Sequence, residues 1–343
     1  MQSQVTSENI TVVIQGPLFR NSDFGDGAAL TIGSIKKHLP HAEIIVSTWS
    51  SEEVSGLTGV NKFIISEAPE AMIDSSGNAN NVGRQLISTL KGIECANRPY
   101  VLKIRADHQL DGKQLFLMPS LVNSSHTFGY LSRKITITSF FIRDHLKIPF
   151  LFHISDLVQF GTKADMFRFW NSKIPSKESL TQNTVRYLPR LFGNFAGITS
   201  FREAPEQTLT RLWLEREGLD IHLDFPCATS FRLFSTWEKA LTENFNIVNF
   251  DAAGIQYPDR FHAAFLGKKT VVTEEALKVM QRSPGSMSRY AKLLFSKYVT
   301  CWFVSRYWIA TANVIISKLM PRLARAIRVW LRAKFGLTHP DRY

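Results

Sequence analysis

The stretch from Tyr100 to Leu110, YVLKIRADHQL, begins as an apolar strand and then breaks abruptly into Lys103, Arg105, Asp107 and His108. A buried strand that delivers cations and a carboxylate at its C-terminal end stands where open α/β sheets take phosphorylated ligands. Alternation puts Lys103, Arg105 and Asp107 on one side of such a strand. Asp107 is therefore expected to hold a divalent cation, Mg or Mn, bridging a pyrophosphate, since such ions keep only one or two protein carboxylates. Lys103 and Arg105 would neutralise the departing phosphate. The plain alternative is an edge strand with that side in water.

Upstream, Ile10 to Ile14 is a β-branched run closed by Gln15, Gly16 and Pro17, a buried first strand and a tight turn. Ala28, Ile32, Ile35 and Leu39 follow at helical spacing before Pro40, then come two more strands, EIIVSTW (Glu43 to Trp49) and KFIIS (Lys62 to Ser66). A Gly/Asn-rich turn, SSGNANN, precedes a helix with Val82, Leu86, Leu90 and Ile93 on one face. Strand, helix, strand repeated in this way predicts right-handed βαβ units, so the first 110 residues read as a nucleotide-binding half of a doubly wound sheet. Gly16 would let a ligand approach the backbone, and Gln15 could pair with a base edge or a ribose hydroxyl. Asn80, Asn81, Arg84 and Gln85 fall in the first turns of the following helix, where free amides and a cation could meet an anion.

Beyond this half the pattern is mixed. KITITSFF (Lys134 to Phe141) alternates like an antiparallel or edge strand, and FLFHISDLVQF (Phe150 to Phe160) starts as a strand before Gly161. Helices are expected from Asp165 to Trp170 and from Ala204 to Glu217, and a strand over NFNIVNF (Asn244 to Phe250). In HISD, Asp156 is the candidate general base, with His153 and Ser155 beside it. A hydrolase triad is set aside because no G-x-S-x-G surrounds any serine. In APEQ, Glu206 reads as a capping acid of a helix's first turn, with acceptor binding as its other use.

The 343 residues are 44% apolar and 20% charged, which suits a large folded α/β body. The net charge of +12 is lopsided. From Arg282 onward there are twelve Lys or Arg against one acid, Asp341. Cys95, Cys227 and Cys301 are too scattered for a disulfide framework or zinc site and read as reduced packing residues. The N-terminus lacks the basic and apolar regions of a signal peptide, which predicts a cytoplasmic protein. A turn at Pro284 and Gly285 divides a catalytic body, residues 8–283, from a basic, aromatic tail, residues 284–343.

In the tail, PRLARAIRVWLRAKF (Pro321 to Phe335) places Arg322, Arg325, Arg328 and Arg332 on one arc and Leu323, Ile327, Trp330 and Leu331 on the other. This predicts a helix lying on an anionic bilayer. Tyr298 to Ser317 has the length of a membrane span, but Arg306 near its middle favours interfacial helices. Nucleic acid is the weaker partner, because the aromatics are not interleaved with the arginines.

Taken together, ITVVIQGPL, the SI-K-HLP-AEIIVSTW segment, NNVGRQLIST, YVLKIRAD, PFLFHISDLVQFG, APEQ and NFNIVNF resemble the WavE lipopolysaccharide-synthesis family of bacterial glycosyltransferases. The resemblance covers most of Ile10 to Phe250. It implies a GT-A-like, Rossmann-related, mostly parallel sheet flanked by helices, and transfer of a sugar from a nucleotide-activated donor to a lipopolysaccharide or capsular glycan. It also implies peripheral work at the cytoplasmic face of the inner membrane. GT-A enzymes typically carry Asp-x-Asp at the end of the donor strand, whereas this chain has Arg105-Ala106-Asp107. Arginine-assisted, metal-independent departure of the nucleotide therefore stands beside the metal reading. A phosphotransferase and a non-enzymatic membrane scaffold are the other classes considered.

Overall fold

A computed structural model describes residues 4–20, 26–74, 79–123, 127–181, 192–259, 261 and 269–334. The strands are β1 (Ile10–Gln15), β2 (Glu43–Trp49), β3 (Lys62–Ser66), β4 (Met72–Ile73), β5 (Ala79–Asn80), β6 (Tyr100–Arg105), β7 (Gln109–Leu110), β8 (Ile135–Thr138), β9 (Val158–Thr162), β10 (Phe245–Val248) and β11 (Ile255–Gln256). The helices of the body are α1 (Gly27–His38), α2 (Val82–Glu94), α3 (Lys163–Trp170), α4 (Lys177–Leu180), α5 (Pro205–Arg216) and α6 (Phe231–Asn244). After them come α7 (Glu274–Arg282), α8 (Met287–Tyr298), α9 (Ser305–Leu319) and α10 (Pro321–Lys334).

Seven strands make one sheet in the order β10-β8-β9-β6-β1-β2-β3. The pairs β1–β2, β1–β6, β2–β3 and β8–β10 are parallel, while β9 runs antiparallel to both β6 and β8. The fold is thus the mixed α/β class with a mostly parallel sheet that the sequence predicts. Because β9 alone is reversed, its first residues lie at the edge where the other strands end. That reversal brings the segment just before β9 to the C-terminal ends of β1 and β6.

Both faces of the sheet are covered around the buried strands β1 and β6, while β3 at the edge is largely exposed. Ile10, Val12, Ile14, Leu102 and Ile104 pack with Ile32 and Ile35 of α1 on one face. Val13 and Val101 pack with Leu86 and Ile93 of α2, Trp170 of α3 and Trp213 of α5 on the other. Each such side chain contributes about 1.5–3 kcal/mol by leaving water. Gly92 sets how closely α2 lies on β1, since a Cβ there would stand 2.2 Å from Val13 Cγ1.

Two expected elements differ from what is observed. The run from Phe150 to Phe160 is a strand only from Val158, and Gly161 lies inside β9 instead of ending it. Phe152 has φ +59°, a left-handed turn that no apolar pattern announces and that breaks an extended chain. KITITSFF pairs antiparallel with β9, one of its two expected readings, but it is interior and not an edge, because β10 lies parallel on its other side. Residues 75–78 of the turn before α2, and the tail from residue 335 on, lie outside the described residues.

The basic segment is fastened to the body. Glu238 of α6 is fully buried and accepts from Arg289 of α8 at 3.0 and 2.6 Å, from the Gly285 amide at 2.7 Å, and pairs with His145 at 3.1 Å. Lys297 Nζ donates to Cys227 O at 2.7 Å, and Arg306 Nε donates to Phe195 O at 3.0 Å. Three cations of the tail are therefore spent on internal contacts. Among the described residues no helix is long and apolar enough to cross a membrane. All three cysteines are free thiols.

Removing one partner of a buried charge pair strands the other. Glu238→Ala should lower unfolding free energy by about 3–5 kcal/mol, measured by urea denaturation, because it leaves Arg289 buried without its counter-charge.

Candidate functional site

Where β1, β2 and β6 end and β9 begins, the chain leaves a cavity of about 280 Å³. The chain runs outward from β1 to β2 and β3, then returns through α2 to β6 on the other side of β1. That reversal of strand order is the switch point at which open α/β sheets leave a crevice for ligands. Gln15, Gly16 and Pro17 line the cavity from β1, Trp49 from β2 and Arg105 from β6. Asn81, Arg84 and Gln85 come from the start of α2, Asp156 and Leu157 from the approach to β9, and Pro205 and Glu206 from the start of α5. Phe141 and Phe261 supply an aromatic wall.

The β1 lip is open backbone. Gly16 has φ +90° and no atom lies within 4 Å of where its Cβ would stand, so a side chain there would be strained before it was crowded. Its amide donates to Ser47 O at 3.0 Å and its carbonyl accepts from Thr48 Oγ1 at 2.9 Å. Gln15 is buried, and its Oε1 accepts from Ser88 Oγ of α2 at 2.8 Å.

Among the described residues, the start of α2 leaves buried polar atoms of both kinds without partners, among them the donor Asn80 Nδ2. Asn80 Oδ1 accepts from the Val82 amide at 3.1 Å, and Arg84 Nε donates to Pro69 O at 2.9 Å. Among the described residues, the buried oxygens Asn81 Oδ1 and Gln85 Oε1 have no hydrogen-bond partner. Asp156 Oδ2 likewise accepts no hydrogen bond, although the Lys103 ammonium stands 3.8 Å from it. Buried acceptors left unsatisfied are costly, and three of them around one cavity suit a ligand rich in hydroxyl or N–H donors.

Asp156 and Glu206 put two carboxyl groups on this cavity. Burial pushes the Glu206 carboxyl up to about 7, and the charge of Asp156 pushes the same way. The α5 backbone, Arg143 and Arg105 oppose them. His153 does not line the cavity; its Nε2 lies 3.6 Å from Glu206 Oε2. Burial, aided by Arg143, depresses its imidazole to about 3, so it stands neutral behind Glu206. Of the two, it is Glu206 that lines the cavity, although the sequence showed it as a capping acid with acceptor binding as its other use. The only signal for it was its position after Pro205 at a helix start, a site that usually means capping and nothing more.

Lys103, Arg105 and Asp107 do not line the cavity together. The side that Lys103 and Arg105 share is the face covered by α2, α3 and α5, so Lys103 is fully buried one step behind the cavity. Its ammonium donates to the Asp156 carbonyl, lies 3.8 Å from Asp156 Oδ2 and sits 5.2 Å from the Trp170 ring centroid. Burial lowers it to about 8, with Asp156 holding it up. Arg105, two residues on, reaches the cavity between the rings of Phe19 and Phe261. Asp107 lies past the end of β6, where alternation no longer applies.

Asp107 also fits a metal poorly. Its carboxylate accepts from Arg105 Nε at 3.1 Å, contacts His108 Nδ1 at 2.7 Å and does not line the cavity. The described residues contain no group of three or more His, Cys, Asp or Glu placed to hold an ion. The Asp107 carboxylate is thus taken up by its contacts with Arg105 and His108.

The chain is thus an α/β protein whose switch-point cavity is lined by arginines and carboxyl groups. The model of the WavE lipopolysaccharide synthesis family matches residues 10–308, and the chain belongs to that family. The match runs past the last block quoted above and takes in α8 and the start of α9. No curated protein matches the chain. Family membership places the protein in lipopolysaccharide synthesis.

The buried ammonium generates a test of its own. Lys103→Ala should cost about 3–5 kcal/mol in chemical denaturation, by stranding Asp156 and opening a void. Lys103→Met, which refills the volume, should recover part of that loss.

Proposed function

We propose that this protein transfers a sugar from a nucleotide-activated donor to a hydroxyl of a lipid-linked lipopolysaccharide or capsular glycan. The observation that carries the reading is the switch-point cavity, where Arg84 and Arg105 face Asp156 and Glu206 across unpaired acceptor oxygens. The nucleoside sits at the open lip of Gln15 and Gly16. Arg105 and Arg84 bind the diphosphate and take up the charge that develops as it leaves, which replaces the Asp107 cation of the sequence reading. Asn81 and Gln85 accept from sugar hydroxyls.

The acceptor hydroxyl attacks the anomeric carbon, and its proton passes to a carboxylate of the Asp156–Glu206 pair while the bond from the anomeric carbon to the diphosphate oxygen breaks. Asp156 is the base, and Glu206, beside it, sets the charge against which Asp156 works. Orientation and charge stabilisation supply most of the rate in such reactions. Lys103 acts as a positioning residue through the Asp156 peptide. The lipid-linked acceptor puts this work at the cytoplasmic face of the bacterial inner membrane, with the chain bound peripherally.

Asp156→Asn and Arg105→Ala should each lower transfer at least about a hundredfold with unchanged circular dichroism. Wild-type turnover in either removes that residue from the mechanism. Release of a nucleoside diphosphate fits sugar transfer, whereas a monophosphate would turn the reading to a phosphotransferase.

The Glu206 carboxyl is raised, so it is protonated below about pH 7 and ionised above. Transfer should rise as pH increases through that value, because the ionised pair accepts a proton better than the protonated one. A pH profile of Glu206→Gln should lose this inflection; a profile unchanged by the substitution removes Glu206 from the proton path.

A further inference from the structure

The sequence predicts interfacial helices over Tyr298 to Ser317 as well as an arginine-faced helix from Pro321, and among the described residues the first of these carries an exposed apolar surface. Along α9, Trp308, Ile309, Ala312, Ile315 and Leu319 recur at helical spacing on the solvent side. Leu319 is 73% exposed and Ile309 66%. On the inner side, Tyr307, Ala310 and Val314 are buried, and Asn313 Oδ1 accepts from the Ile198 amide at 2.9 Å. Arg306, which argued against a span when read in sequence, is turned inward to Phe195 O and lies 5.7 Å over the Phe150 ring. From Trp308 to Ile315 the outward side of the helix carries no charge, unlike the polar outer face of a helix that lies against water.

The apolar outer face continues at one end into the corner that leads to α9. There Trp302 and Trp308 pack with ring centroids 5.4 Å apart, Trp308 Nε1 donates to Trp302 O at 2.8 Å, and Phe303 is 90% exposed. At its other end stand exposed Lys318 and Arg322, and from Ala276 to Pro340 the sequence has no acid at all. Tryptophans beside an apolar ridge, rimmed by uncompensated cations, match the interface of an anionic bilayer. The same charge argues against a second copy of this chain, because two uniformly basic tails would repel across a shared interface.

We propose that the outer face of α9 and its Trp302–Phe303 corner form a monotopic docking surface that enters the headgroup layer of an anionic membrane. The ridge supplies the apolar burial and the cations supply attraction to acidic lipid. Arg306 on the back of α9 is close enough to His153 to depress its ionisation further, so the docked helix flanks the Glu206 side of the cavity. The docking surface itself does not depend on the transferase reading; only the direction from which an acceptor arrives does.

The test uses the full chain and vesicles of phosphatidylcholine with or without phosphatidylglycerol, read by co-sedimentation. Expected is binding to the anionic vesicles, weakened about tenfold or more by Phe303→Ser with Ile309→Ser, in line with two side chains losing their apolar burial. Both residues are exposed, so melting temperature and nucleotide-induced thermal shift should stay at wild-type values. A loss of docking with intact nucleotide binding separates this surface from the site. Vesicle binding unaffected by the double substitution overturns the proposal, as does binding indifferent to phosphatidylglycerol. A concentration-dependent dimer abolished by the same substitutions, without vesicle binding, overturns it in favour of self-association, and retention on duplex DNA without vesicle binding overturns it in favour of nucleic acid.

Discussion

A single buried ammonium group organises the site. Lys103 lies on β6 with no exposure to water, and a cation there persists only with a close partner. The partner is the segment before β9, through the carbonyl and carboxylate of Asp156. Trp170 covers the ammonium from α3, while its Nε1 donates to Gln159 Oε1 at 2.7 Å and Gln159 Nε2 donates to Ser155 O at 2.8 Å. Lys103 and Gln159 are opposite each other in the β6–β9 ladder. This set of bonds fixes the height at which the chain turns into β9, and hence where Asp156 meets the cavity.

The loops around the cavity carry backbone strain that the packing sustains. Phe19, Phe141 and Phe152 have φ values of +55°, +65° and +59°. Left-handed backbone costs a non-glycine residue about 1–2 kcal/mol, so each must be held by its ring. Phe141 packs edge-on to Phe261 at 5.5 Å with Arg143 over its face, and Phe19 lies under Arg105. Phe152 packs against Trp237 at 5.6 Å. Phe19 thereby also holds Arg105 at the cavity, and Phe141 with Phe261 forms the cavity's aromatic wall.

Much of the site was legible because strand ends are legible. Gln15, Gly16, Asn81, Arg84, Arg105 and Asp156 were each marked by standing where an apolar run stops or a helix starts, and all six line one cavity. What failed was the inference from alternation. Period two correctly gives Lys103 and Arg105 a common side, but not what covers that side, and it ends with the strand before Asp107. Which of Glu206 and His153 reaches the cavity was hidden for a similar reason: proximity to Asp156 in sequence points to His153, while the α5 helix start brings Glu206 to the cavity from fifty residues away.

Local pattern by itself determined the β1–β2–β3 and β6 strands, the helices between them, the α/β class and the uneven charge, because these follow from apolar periodicity and turn residues within short windows. Tertiary structure alone decided that β9 runs backwards between β6 and β8, that Lys103 is interior, and that Arg289, Lys297 and Arg306 serve the body rather than the surface. Each of those outcomes depends on which distant segment covers a given side chain, and burial by a distant segment leaves no periodicity in the chain that it covers.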